Sequence, residues 1–250
     1  MIFFIKNKIV NLQYYIKAYL LKKYKFIGYE YINKAISDNE YESLCKRLYG
    51  NQYLERLYGS QTDQQLQVKR WLVNVIKSVL PDVKTVCDAG ANRGYLMQVF
   101  RESNIESYGF DILDNKDSVV QEVHEFYKIG SILDIPSFDV KFDLVTSIDV
   151  FEHIPINKTD QMVYQLKKLS PKYFVLQISK DMLNDGHITL KGTDFWVQKF
   201  LPEYRLMTEI YDDLSKYRTV DGKLYKNTGI PRNDYNKSPG ILFLKKMRSY

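Results

Sequence analysis

The chain has 250 residues, 45% of them hydrophobic and 14% aromatic, which is enough to bury one sizeable core in a single α/β domain with additions and excludes an intrinsically disordered chain. Its net charge of +6 sits at one end: Lys6, Lys8, Lys17, Lys22, Lys23 and Lys25 precede the first acidic residue, Glu30, and the remaining 30 basic and 30 acidic residues cancel. A neutral body excludes a general nucleic-acid-binding surface, and two cysteines, Cys45 and Cys87, with no Cys/His cluster exclude a disulfide framework or zinc knot and fit a reducing, cytoplasmic compartment.

Residues 1–29 alternate short apolar runs with lysine or asparagine. None approaches the roughly 20 apolar residues needed to span a bilayer, and the charges interrupt what a signal peptide keeps continuous. Because the lysines do not gather on one helical face, two readings stay open. The arm is a helix packing on the body or on a second copy, or it rests peripherally on an anionic membrane, where each basic residue contributes about 1 kcal/mol. The expected organisation is a basic, helical extension over residues 1–59 and a globular domain over 60–250.

Ser37-Asp-Asn-Glu40 has the form of a capping box, and Tyr41, Leu44, Cys45 and Leu48, continued by Leu54 and Leu57, recur at helical spacing. Tyr58-Gly59-Ser60 breaks this pattern. Thr62 or Asp63 can cap a second helix whose stripe, Leu66, Trp71, Leu72, Val75, Ile76 and Val79, ends at Pro81. Such stripes are read as core cover rather than as a cofactor box.

Beyond Pro81 the pattern alternates. Strands are expected at 85–88, 107–111, 142–149, 173–178, 205–211 and 241–245, with a weak one at 127–130; helices are expected at 95–102, 118–126, 159–169 and 194–200. This implies a mostly parallel sheet covered on both faces, whose ligands bind at the carboxyl edge near the point where strand order reverses.

The organising stretch is Lys84 to Gly94: a short apolar strand, a turn containing Gly90 and Gly94, and then a helix. Asp88 ends that strand and can orient the turn and attract an ammonium group. Asp111 ends the next strand, 21 positions beyond Gly90, suitably placed to accept hydrogen bonds from two ribose hydroxyls. Gly90-Ala-Asn-Arg-Gly94 lacks the Gly-x-Gly-x-x-Gly spacing that admits a pyrophosphate, which argues against a nicotinamide dinucleotide.

From about Trp71 to Lys245 the sequence resembles the class I S-adenosylmethionine (SAM)-dependent methyltransferases. Asp88-Ala-Gly-Ala-Asn-Arg-Gly94 is similar to their first motif, with Asn92 where a middle glycine is common, and Gly109-Phe-Asp111 to the end of their second strand. Gly130-Ser-Ile-Leu-Asp-Ile-Pro136 is similar to the adenine-side loop, and Phe142 to Pro155 to the fourth strand and its turn. The resemblance implies a Rossmann-like, doubly wound, seven-stranded, mostly parallel sheet with an antiparallel last strand. It also implies SAM as cofactor, held by Asp88, Ala89, Gly90, Asn92, Gly94, Asp111, Ile112, Ser131, Ile132 and Ile148. Where the family often has an acid on the adenine loop this chain has Ser131, with Asp134 as the substitute.

Methyl transfer to a hydroxyl also calls for a base. Asp149, Glu152 and His153 follow the fourth strand and His187 the fifth, and imidazoles titrate near neutrality. His187 is preferred because Asn184-Asp-Gly-His reads as an irregular polar loop with no core role, whereas Glu152 and His153 can equally lock the turn. His124 is expected to be uninvolved. Asp149, Glu152, His153 and His187 could together hold a divalent cation, but nothing in their spacing requires one and none is expected.

Gly186-His-Ile-Thr-Leu-Lys followed by Asp194-Phe-Trp resembles a segment of polysaccharide-pathway methyltransferases. It implies O-methylation of a sugar hydroxyl on a glycan or lipid-linked saccharide; Trp196, Phe195 and Tyr204 could stack on a sugar face, although aromatic residues at helical spacing more often belong to the core. The long connection 212–240, with Tyr217, Arg218, Tyr225, Lys226, Arg232 and Tyr235, is expected to rim the acceptor site or to be a solvated loop. The alternatives are a methyltransferase of small metabolites or quinone precursors, and an inactive scaffold of a membrane-associated complex.

Overall fold

The computed structural model describes residues 37–48, 62–113, 116–179, 186–210 and 241–247. The basic arm 1–29, Leu54 and Leu57, Asn184 and Asp185, and the 212–240 connection lie outside them.

Among the described residues the α-helices are α1 (Asp38–Leu48), α2 (Thr62–Val79), α3 (Tyr95–Glu102), α4 (Thr159–Lys168) and α5 (Thr193–Phe200). The strands are β1 (Thr85–Ala89), β2 (Glu106–Asp111), β3 (Tyr127–Ile129), β4 (Leu144–Ile148), β5 (Tyr173–Gln177), β6 (Tyr204–Leu206) and β7 (Ile241–Lys246). They form one seven-stranded sheet in the order β3-β2-β1-β4-β5-β7-β6. Its pairings are parallel except for the last strand, β7, which runs antiparallel between β5 and β6, the Rossmann-like arrangement expected.

Side chains alternate across a strand, and the core divides accordingly. Cys87, Val145, Phe174, Leu176, Leu242 and Leu244 face α1, α4 and α5, meeting Tyr41, Cys45, Met162, Leu166, Trp196 and Phe200. Val86, Leu144, Val175, Ile241 and Phe243 face α2 and α3, meeting Trp71, Leu72, Val75, Ile76, Leu96, Val99 and Phe100. The α2 stripe is thus core cover, and among the described residues no helix is long and apolar enough to cross a membrane.

At α1 the capping box forms as read: Ser37 N donates to Glu40 Oε2 at 2.9 Å and Glu40 N to Ser37 Oγ at 3.3 Å. Asp38 then pairs with Lys158, whose ammonium is buried at the start of α4. This contact fixes the helix against the same core as α4 and α5.

Two elements differ from expectation. The helix read over 118–126 is instead a pair of 3-10 turns, Lys116–Ser118 and Gln121–Phe126. Val120 is extended and its N–H donates to Arg93 O at 2.9 Å, so the backbone ties to the β1 turn rather than to its own helix. Strand β6 stops at Leu206 because Arg205 reaches forward to Glu209 with two bonds, 3.0 and 2.9 Å, across a 3-10 turn at Thr208–Ile210.

Candidate active site

Strand order reverses between β1 and β4, and at their carboxyl ends lies a cleft. Of the residues expected to hold the cofactor, Asp88, Gly90, Asn92, Asp111, Ile112, Ser131, Ile132 and Ile148 line it, and so do Asp149 and His153. Ala89 is buried in the core instead, and Gly94 is the left-handed residue that opens α3. Asp134 is exposed and Ser131 buried, its Oγ accepting from Leu133 N at 3.2 Å; of the two, Ser131 lines the cleft.

Backbone conformation builds this half of the cleft. Gly90 has φ +86°, and a Cβ there would collide with Val150, so the chain turns tightly only with glycine. Asn92, at φ 50°, takes the left-handed conformation that asparagine tolerates, which explains how it replaces a glycine. The turn is then pinned to β2: Gly90 N and Ala91 N both donate to Phe110 O at 2.9 Å, and Asn92 N to Asp111 Oδ2 at 2.9 Å. Asp111 Oδ1 accepts from Leu113 N at 3.1 Å.

Asp88 is buried, and Thr146 Oγ1 donates to its Oδ1 at 2.7 Å. Burial pushes its carboxyl up to about 6, opposed by Thr146 and by the charge of Lys69 on α2. The donor set suits a SAM-type cofactor: two carboxylates for an ammonium and a ribose, plus Asn92 Oδ1, which is buried and meets no hydrogen-bond donor among the described residues.

Side chains from two loops build the other half. The 3-10 turn Phe151–His153 follows β4, and the loop after β5 is stitched to it by Ile188 N and Thr189 N, both donating to Glu152 O at 2.8 and 2.9 Å. His153 Nδ1–H donates to Gly186 O at 3.0 Å. A carbonyl can only accept, so neutral His153 carries its lone pair on Nε2. Burial, aided by the neighbouring His187, pulls its pKa down to about 4 and keeps it neutral.

His187, expected in a polar loop with no core role, is instead buried with its ring edge against His153, centroids 4.8 Å apart. It does not line the cleft. Glu152 is fully buried, its Oε1 accepting from Ser179 N at 3.1 Å and lying 3.8 Å from His187 Nε2; burial and the charge of Asp149 push its carboxyl up to about 8. Asp149, at φ 56°, is exposed at the mouth and accepts from Gln177 Nε2 at 3.2 and 3.1 Å.

The aromatic residues read as a sugar platform are otherwise employed. Trp196 and Tyr204 are core, packed on Phe151 and Phe174 at 5.3 and 4.8 Å, and Tyr204 OH donates to Pro171 O at 2.9 Å. Phe195 packs edge-on against Trp196. His124 stands apart, its Nε2 bonding Val119 O at 2.7 Å.

Sequence reading missed the helical side of the cleft: Tyr41 and Cys45 from α1, and Gln65 and Lys69 from α2. Tyr41 OH also donates to His153 O at 3.3 Å. For Tyr41 and Cys45 the only sequence signal was helical periodicity, which marks core and cleft wall alike; Gln65 and Lys69 lie outside the apolar stripe of α2 and carried none. The Cys45 thiol, in this wall, is pushed up to about 12 by burial.

Residues 60–191 match the family described as a methyltransferase domain. Among solved structures, magnesium protoporphyrin IX methyltransferase from Synechocystis PCC 6803 with bound SAM is 15% identical, with TM-score 0.55, over 86% of this chain and 100% of that chain. The same protein with bound SAH has 15% identity and TM-score 0.54, covering 84% and 100%. The small RNA methyltransferase HEN1 is 14% identical with TM-score 0.52, over 73% of this chain and 25% of that one. Among curated proteins no relative matches the sequence. With the matched segment spanning more than half of the chain, and the sheet order and cleft described above, this protein belongs to the methyltransferase-domain family of the class I SAM-dependent methyltransferases.

Proposed function

We propose that the protein is a SAM-dependent O-methyltransferase whose acceptor is a hydroxyl, a sugar hydroxyl of a glycan or lipid-linked saccharide being the form to which the sequence points. The observation that carries the reaction type is His153, which lines the same cleft as Asp88, Asn92 and Asp111. Held by Asp88, Asn92 and Asp111, SAM would supply an electrophilic methyl and keep the C–S electron pair on sulfur, while the acceptor oxygen would take the methyl and give up its proton. The chain's own work is alignment and proton removal. Asp111 and Asp88 hold the nucleoside and ammonium ends, and His153 presents Nε2 toward the acceptor with its tautomer set by Gly186. With Trp196 and Tyr204 in the core, the sugar reading rests on hydroxyl chemistry and on the resemblance at 186–196, not on an aromatic platform.

The test is calorimetry with SAM on the folded full chain, followed by incubation with panels of saccharide and small phenolic acceptors and mass spectrometry for the gain of one methyl group. Transfer to a saccharide supports the proposal. Absence of SAM binding sinks it, and transfer only to phenolic acceptors replaces the sugar by a small metabolite.

A further inference from the structure

We infer that Glu152, His153 and His187 form a binding site for one divalent transition-metal cation beside the methyl-acceptor end of the cleft. Their ligand atoms all lie within 4.8 Å of one another, so small side-chain movements bring them to one ion at ordinary bond lengths of about 2.0–2.2 Å. The cluster is assembled by backbone: Glu152 and His153 are adjacent on one turn, and two N–H groups of the His187 loop are bonded to the Glu152 carbonyl. Glu152 Oε2 is the independent observation. It is fully buried and meets no hydrogen-bond donor among the described residues, a costly arrangement for a buried polar atom unless something else satisfies it, and a cation does.

The outer contacts also suit a metal. His153 donates Nδ1–H to the Gly186 carbonyl, which makes Nε2 the ring nitrogen that carries the lone pair a metal needs, the tautomer pattern common for metal-bound imidazoles. Glu152 Oε1 is held by Ser179 N. Two imidazoles with one carboxylate select a borderline ion of the Mn²⁺, Co²⁺ or Zn²⁺ kind over Mg²⁺ or Ca²⁺, which favour all-oxygen shells. Three protein ligands leave coordination positions unfilled, and of the three His153 lines the cleft together with Asp149. For its role, though not for its existence, the site rests on the O-methyltransferase reading. The acceptor hydroxyl coordinates the ion, which lowers its pKa; His153 then acts as a ligand, and the proton passes to the Asp149 carboxylate.

The test uses the full chain stripped with chelator and titrated with Co²⁺, followed by its visible absorption and by elemental analysis. One equivalent binds with a spectrum typical of nitrogen and oxygen ligation, and Glu152→Gln and His187→Gln each weaken binding at least tenfold. Retained SAM binding by calorimetry shows that the variants are folded. No Co²⁺ binding above the level of the variants, or equal binding in wild type and folded variants, overturns the site. Methyl transfer that persists undiminished in chelator overturns the ion's role and leaves His153 as base. One tight equivalent of Co²⁺ without transfer to any acceptor upholds the site while defeating the functional reading.

Discussion

The two halves of the cleft are made differently. On the side of β1 and β2, polar groups are held by main chain: Asp111 is fastened by Asn92 N and Leu113 N, and the turn by Phe110 O. On the side of β4 and β5, a buried acid and two imidazoles crowd together, and one carboxylate oxygen meets no donor among the described residues. A cofactor that is always the same molecule can be met by a rigid backbone cradle. The proton transfer proposed for the other half falls to side chains whose charge can change.

The comparison breaks first at Asp111. Asp111→Ala removes the carboxylate expected to take both ribose hydroxyls, so SAM affinity falls about a hundredfold, two charge-assisted hydrogen bonds being worth about 3 kcal/mol or more together. Calorimetry reads this, and Co²⁺ binding in the other half stays as in wild type. A parallel loss of both would show that the halves are one unit.

Gly90→Ala tests whether the cradle depends on backbone conformation. The left-handed φ and the collision with Val150 should lower unfolding free energy by about 1–3 kcal/mol, measured in denaturant with the slope m unchanged. A cost below about 0.5 kcal/mol would mean that the turn has room to relax.

The smallest expected effect is the pH dependence of Asp88. Its carboxyl, raised to about 6 in the fold, is ionised above that pH and attracts the cofactor's ammonium, so affinity weakens up to about tenfold as pH falls through 6. The unliganded protein moves oppositely. The folded state holds this proton more tightly than the unfolded chain, so Asp88 adds stability as pH falls from about 6 toward 4 and withdraws it as pH rises. Asp88→Asn flattens both profiles relative to wild type; a variant that keeps either slope assigns that slope to another group.

Legibility in the sequence followed the same division. The cofactor side could be read because its determinants are local: glycine, asparagine and aspartate at turn positions between residues 88 and 111 announce backbone conformation directly. Asn92 in place of glycine argued against a pyrophosphate from the sequence, and its left-handed φ in the fold explains why the turn accepts it. The acceptor side depends on partners far apart in the chain. Nothing near His187 signals that its loop is bonded to the Glu152 carbonyl, so a buried member of a cluster reads as a polar loop residue. Trp196 and Tyr204 failed as a sugar platform for the complementary reason: aromatic periodicity marks a buried face, and the fold spent both on the core. Tyr41 and Lys69 reach the cleft through helix packing, which no short motif encodes.

Cys45 gives the cleft a further property, that of safety toward its own reagent. A thiolate is among the best acceptors for a sulfonium methyl, and this sulfur stands in the wall of the chamber proposed to hold one. With the thiol pushed up to about 12, only about one molecule in 10⁵ carries the thiolate at neutral pH. A protonated thiol is the poorer nucleophile, so burial works against methylation of Cys45 by a sulfonium held in the same cleft.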